Sequence, residues 1–469
     1  MTLWLATVIL LGFYTSWLLY KAVGYVYGGV SSDSESFFLG RRKFGKWKGL
    51  LTLFASFVSA GAVLGGVEFY YAHGISTLIH GVLLYWTIAA IVYYIGNIIW
   101  TRAKDKTEIK SPIQLILSPF DSIFAEWVAV ILTIVFLVPY LSMQLVGMGV
   151  LLKTTFGWPY IFSVMVAMLV IYLYTASGGL DGVVTSDVVQ IITLLSMLGA
   201  AIWYVGANFD SITSFYRSVE AASPQLIEWP PGPGPQGFYT LPMLFSLVLM
   251  FSSIALTQAH MAKRLYITRD QKSLSFMSLG FGVMGTLLFL VLGFFGLSGA
   301  AIADVTEGGA IIGEVIQDVN ILLGAGTLVG IIAATMSTGD SLLLAFGLIF
   351  SEQYYKNSPE QSGSVVPLGH AVTLICAIVA VFISVQRPQY ILDPLILSAG
   401  GTLQLAPAFL AGVFKWKVPS WSLYSSMLTG LIIMLLFQWS LPTYGFHQSV
   451  IGLMAAFVVV GAGYVISNG

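Results

Sequence analysis

The amino-acid sequence predicts an all-α, polytopic membrane protein, and three observations carry that expectation. Only 9% of its 469 residues are charged, where a soluble domain carries about 25%. The mean hydropathy is +0.88, and the apolar residues gather into thirteen stretches of bilayer-spanning length, about 20 residues each. The basic residues crowd into alternate connectors between those stretches.

In chain order the stretches lie near 3–27, 47–72, 77–100, 123–152, 158–176, 183–206, 238–261, 274–300, 322–350, 366–386, 391–414, 420–438 and 448–467. The first, within MTLWLATVILLGFYTSWLLY, lacks a cationic leader and an A-x-A cleavage site. It therefore reads as a retained span rather than a signal peptide. The longest connector, Asn208–Gly237, ends in EWPPGPGPQG, a Pro/Gly density that marks a surface loop and not a domain boundary. Residues 1–469 are thus expected to form a single transmembrane domain.

Charge orients the bundle. One set of connectors holds Lys21, Arg41, Arg42, Lys43, Lys46, Lys48, Arg102, Lys104, Lys106, Lys110, Lys263, Arg264, Arg269, Lys272, Lys356, Lys415 and Lys417, 17 of the 20 basic residues. The other set holds Lys153, Arg217 and Arg387. The positive-inside rule then places the N-terminus outside and the C-terminus inside a cell membrane. A net charge of −1 without a basic domain or tail argues against nucleic acid as a partner. A lone cysteine, Cys376, leaves no disulfide framework and no Cys-based zinc site. No Ser-His-Asp set, P-loop or HExxH appears, so the sequence gives no sign of an enzyme. His73 and His80 bracket an outer connector without metal-ligating companions.

The ninth stretch is the polar exception. Its IIAATMSTGDS, Ile331–Ser341, sets Thr335, Ser337, Thr338, Asp340 and Ser341 inside an apolar run. On a helix Ala334 and Ser337 share a stripe, with Thr338 one residue further round. That face offers a carbonyl and two hydroxyl oxygens at one depth, a surface suited to Na⁺. The same residues could instead bond to the preceding turn or join two helices.

The second stretch, LTLFASFVSAGAVLGG at Leu51–Gly66, is interrupted by Ser56, Ser59, Gly61, Gly65 and Gly66. Such residues permit either tight helix packing or a broken helix lining a cavity. The seventh shows a matching interruption at Ser252, Ser253, Thr257 and Gln258. These two stretches open successive five-helix blocks, 47–206 and 238–414. Interruptions at corresponding places point to an inverted-repeat transporter, although the residues themselves show no obvious repeat.

Four segments then resemble the sodium/solute symporter family in order along the chain. AATMSTGDSLL at Ala333–Leu343 looks like its AAxMSTxxSxL segment, and SGGLDGVVTSDVVQ at Ser177–Gln190 like its GG…TDxxQ helix entry. QAHMAKRLYITRDQKSL at Gln258–Leu274 is similar to its PHxxxRxxxAxDxKS stretch. SAGGTLQLAPAFLAGVFKWK at Ser398–Lys417 is similar to its Gly-rich, Pro-containing tenth core helix. The resemblance implies a LeuT-type fold of five plus five inverted-repeat helices, with one helix before and two after. It implies a Na⁺ site built from the carbonyls of Ala55, Val58 and Ala334 and the hydroxyls of Ser337 and Thr338. Ala55 and Val58 suit that role, because carbonyls at the C-terminal end of a half-helix lose their donors. Asp187 would stand near the sodium path, or serve as a helix N-cap, and Asp340 could serve the same path.

Departures from the family bear on the substrate. Phe57 stands where the proline symporter carries an aspartate, and Phe251 and Ala255 where aromatic residues line proline's pocket. Ala259 replaces the proline of the PH pair. Proline is therefore not the expected substrate, and no sugar pocket is evident. Phe251, Ser253 and Gln404 are expected to face a small polar organic solute, since a glutamine amide at membrane depth needs a partner. Glu68 reads as a vestibule residue that could also hold a cation or a proton. His260, Lys263 and Arg264 read as anchors at the cytoplasmic interface. The expected activity is Na⁺-coupled symport by alternating access. The alternative is a membrane solute sensor with a signalling domain or partner beyond Gly469.

Overall fold

The computed structural model describes residues 2–27, 34–59, 61–188, 190–228, 232, 234, 237–301, 308–357, 365–386, 392–439 and 441–468. Arg387, Gly469 and most of the Pro/Gly-rich EWPPGPGPQG stretch lie outside the described residues. The described chain is helical, and its lone β-bridge joins Phe44 to Thr268.

The main helices run α1 (Leu3–Tyr27), α2 (Lys46–Phe57), α3 (Gly61–His73), α4 (Ser76–Asp105), α5 (Ile123–Phe156), α6 (Tyr160–Asp187) and α7 (Gln190–Asn208). Then come α8 (Leu241–Thr257), α9 (Ala259–Leu265), α10 (Gln271–Ala301), α11 (Ile321–Tyr354) and α12 (Val365–Val385). The last are α13 (Leu392–Leu403), α14 (Ala406–Val413), α15 (Ser420–Trp439) and α16 (Gln448–Asn468). Among the described residues, nine helices are long and apolar enough to cross a membrane. Counting each bent pair as one span raises that to as many as twelve.

The bends fall where the interruptions are. α2 and α3 meet at 66°, and α8 and α9 at 59°. A third break, 47° between α13 and α14, was not foreseen as a break from the Gly-rich sequence. Pro407 in the first turn of α14 explains it, because proline opens a helix but cannot continue one. A different device turns the chain inside α6. Gly179 sits at φ +49°, and a Cβ there would stand 2.4 Å from the Phe37 carbonyl. Only glycine fits that position.

α11 is the axis of the bundle. From Thr327 to Ile349 every residue is buried, the pattern of a helix wrapped on all sides. It packs against α1, α5, α6, α7 and α12 and touches the end of α2. The basic connectors collect at one end of the molecule. Arg42 donates to the Thr107 and Ile109 carbonyls, each at 3.0 Å, and the Arg269 amide to Phe44 at 3.1 Å. Arg102 reaches the Val413 carbonyl at 2.9 Å, Lys356 pairs with Glu126 at 2.9 Å, and Asn468 binds the Lys417 carbonyl at 3.0 Å.

Candidate functional site

Helix α2 stops because Val58 takes an extended backbone (φ −78°, ψ 104°), its N–H closing on the Phe54 carbonyl. The carbonyls beyond lose their helical donors. Two of them point at α11. Thr338 Oγ1 lies 3.4 Å from the Ala55 carbonyl, 3.2 Å from that of Val58 and 3.3 Å from that of Ala334. The Ala55 and Val58 carbonyls at the end of α2 thus meet a single hydroxyl, which has one proton to give. That surplus of oxygen acceptors, buried at 0% exposure for Thr338 and Ala55, is what a small hard cation would satisfy. The residues present fit Na⁺.

Ser337 stands next to this point with its hydroxyl committed elsewhere, donating to the Asp187 carboxylate. Thr52 donates to the other carboxylate oxygen. Asp187 closes α6, and its side chain is bound by neighbouring helices through Thr52 and Ser337. Arg264 completes the network. Its Nη2 is 3.9 Å from Asp187 and 2.8 Å from Ser341 Oγ, and its Nε is 3.0 Å from Ser56 Oγ. Ser56 and Ser341 meet each other at 3.3 Å, and Ser186 reaches Asp340 at 3.3 Å. Ser341 is therefore part of the support beneath the oxygen cluster.

Arg264 corrects the interface-anchor reading, as do Lys263 and His260. All three are fully buried. The bend at Gln258 carries α9 into the protein under α2 and α11 instead of out to the membrane surface. A buried charge requires partners, and Asp187 with two serines supplies them for Arg264. The available signal in the sequence was an acid, Asp187, inside a transmembrane segment that needs a cation from elsewhere in the chain to balance it.

On the other side of the α2–α3 break lies a cavity of about 50 Å³. Phe251 lines it, and Ser253 and Gln404, the other two residues expected to face the solute, stand outside it. The Ser253 hydroxyl donates to the Met250 carbonyl one turn back, at 2.7 Å. The Gln404 amide donates to the Gly400 and Ser449 carbonyls at 2.9 and 3.0 Å. Its oxygen lies against Gly430 and Gly452 of α15 and α16. The α13–α14 break points this side chain at the last two helices, so its partner is another helix. The sequence alone did not single out Tyr85, Tyr140 and Phe289 of the cavity wall, and read His80 only as flanking an outer connector. In the structure His80 lies buried in α4 with its ring toward the same cavity. Glu68 sits, partly exposed, in α3. Among the described residues, no cluster of His, Cys, Asp and Glu forms a metal site.

Broken helices that open carbonyls onto a hydroxyl-bearing central helix define the LeuT-type class of transporter folds. Within that class, the chain belongs to the Sodium:solute symporter family, whose sequence profile it matches over residues 37–430. It is 22% identical to the sodium/pantothenate symporter of Haemophilus influenzae over 435 residues, 90% of this chain and 88% of that protein. It is 23% identical to the osmoregulated proline transporter OpuE of Bacillus subtilis, over 87% of this chain and 84% of that protein. The structure resembles a substrate-bound, outward-open Na⁺-coupled sialic acid symporter with a TM-score of 0.78 at 18% identity. That alignment covers 98% of this chain and 97% of the other. It establishes the fold.

Proposed function

We propose that the protein couples Na⁺ movement to uptake of a small polar organic solute across the cell membrane. The carrying observation is the meeting of the Ala55, Val58 and Ala334 carbonyls on the single hydroxyl of Thr338. Na⁺ would be held by these four oxygens, with Ser337 as the fifth once it shares its hydroxyl between the ion and Asp187. Asp187 and Asp340 would then mark the path by which the ion leaves. Because the ion joins α2 to α11, binding it favours one arrangement of those helices over another, and alternating access follows. Thermal stability of the purified protein in NaCl and in choline chloride tests this directly. Na⁺ should stabilise saturably, and equal stability in the two salts would overturn the reading.

The proposed topology has thirteen spans, arranged as repeats at 47–206 and 238–414. It supports this count that Tyr160–Asn208, 49 residues taken as one segment, would be about 74 Å of helix against a core of about 30 Å. Two spans fit that length. With the basic connectors inside, the N-terminus lies outside and the C-terminus in the cytoplasm. Single cysteines at Thr2 and Asn468, in a background lacking Cys376, should react with an impermeant thiol reagent from opposite sides. Labelling from the same side would mean an even number of spans.

A further inference from the structure

We propose that the cavity beside the α2–α3 break takes an uncharged, planar ring compound with a hydrogen-bonding edge. This rests on the transporter reading above and names the chemical class of its solute. Phe57, Phe69, Tyr85, Tyr140, Phe251 and Phe289 all contribute rings to the wall, together with the imidazole of His80. The Tyr85 ring stands edge-on to Phe57 at 5.3 Å and 70°, and to Phe289 at 5.6 Å and 68°. His80 lies 6.1 Å from Phe251 and 6.4 Å from Phe289. Rings set at steep angles to one another offer both faces and edges, the geometry into which another ring inserts by stacking and edge contact.

The charge of the wall narrows the class. Among its described residues there is no Lys, Arg, Asp or Glu. A carboxylate or an ammonium group would therefore leave water without a counter-charge from the wall, which is unfavourable in an apolar site.

Two polar atoms remain to be satisfied. His80 Nδ1 is held by the Tyr239 hydroxyl at 3.4 Å, and His80 Nε2 has no partner. The Tyr85 hydroxyl has none either, and both side chains are buried, at 4% and 0% exposure. Buried polar groups are nearly always paired. A bound ring that carries a donor and an acceptor on one edge would pair both of them, whichever tautomer His80 adopts. The site thus reads ring shape through its aromatic wall and polarity through α4.

The experiment is a thermal-shift titration of the purified protein in NaCl and in choline chloride. The neutral rings uracil, nicotinamide and indole are compared with pantothenate, proline and lactate. At least one neutral ring should stabilise the protein in NaCl and not in choline chloride. Tyr85→Phe and His80→Ala should each weaken that binding about five- to tenfold, while stabilisation by Na⁺ alone persists and reports that the variants are folded. Stabilisation by the carboxylates only, or by none of the six while Na⁺ alone still stabilises, overturns the ring class and leaves Na⁺ coupling standing. Loss of every Na⁺ effect in the unmodified protein overturns the transporter reading beneath it.

Discussion

Thr338→Val is expected to weaken Na⁺ binding by about ten- to a hundredfold. The substitution keeps the β-branched shape and removes the one hydroxyl on which three carbonyls converge. A contact to a charged group is worth roughly 1.5–3 kcal/mol, and about 1.4 kcal/mol is one decade in affinity. Ser337→Ala should weaken Na⁺ comparably, and it also takes a donor from Asp187. It should therefore lower thermal stability in the absence of Na⁺ as well. Titrating bound radioactive Na⁺ on the purified variants separates the two effects. Because linkage is reciprocal, the solute's affinity at fixed Na⁺ should fall in both and recover as Na⁺ is raised. Unchanged Na⁺ affinity in both variants would remove the site.

The α11 face of this site was legible before the structure because its geometry is local. Residues three and four apart on α11 must share a face, and a Ser/Gly interruption in a lipid-spanning segment must break or pack tightly. That the two meet was implied by the family resemblance alone, and in the structure the Ala55, Val58 and Ala334 carbonyls do stand around Thr338. What the sequence did not disclose depends on the angle of a bend. A polar segment after the seventh stretch reads as an exit to water, and only the 59° turn at Gln258 brings Arg264 back under Ser56 and Ser341. The same holds for Gln404, whose depth was readable but whose direction is set by the α13–α14 break. The cavity rings were invisible for another reason. Tyr85, Phe289 and Tyr140 lie in ordinary apolar spans, and aromatic residues there are as suited to lipid as to a ligand.

Orientation of the charges beneath the ion site adds a constraint on how the site works. Arg264 and Asp187, both fully buried, form an ion pair at 3.9 Å, with Lys263 and Asp340 buried close by. The charges of that pair balance before Na⁺ arrives. On the proposed site the ion's charge would add to that balanced pair, with Ser337, which donates to Asp187, as the link between them. Na⁺ entry would then be coupled to the strength of the Asp187–Arg264 pairing.

Removing one member of that pair is expected to destabilise the protein by about 3–5 kcal/mol, the usual consequence of leaving a buried charge uncompensated. Arg264→Leu leaves Asp187 with the hydroxyls of Thr52 and Ser337, and strips Ser56 and Ser341 of their cationic donor. Asp187→Asn leaves the guanidinium, 3.9 Å away and fully buried, with the hydroxyls of Ser56 and Ser341 as its hydrogen-bond partners. The double variant removes both charges together and should lose clearly less than the two single losses combined, since a neutral pair in that space has no uncompensated charge. Urea or thermal unfolding of the four proteins in one detergent, without Na⁺, measures the cycle. Additive losses would mean that Asp187 and Arg264 act independently and that the balance of charge beneath the ion has no structural weight. A smaller loss in the double variant, accompanied by weaker Na⁺ binding in Asp187→Asn than in Arg264→Leu, would place the carboxylate as the member that favours the ion and the guanidinium as its competitor.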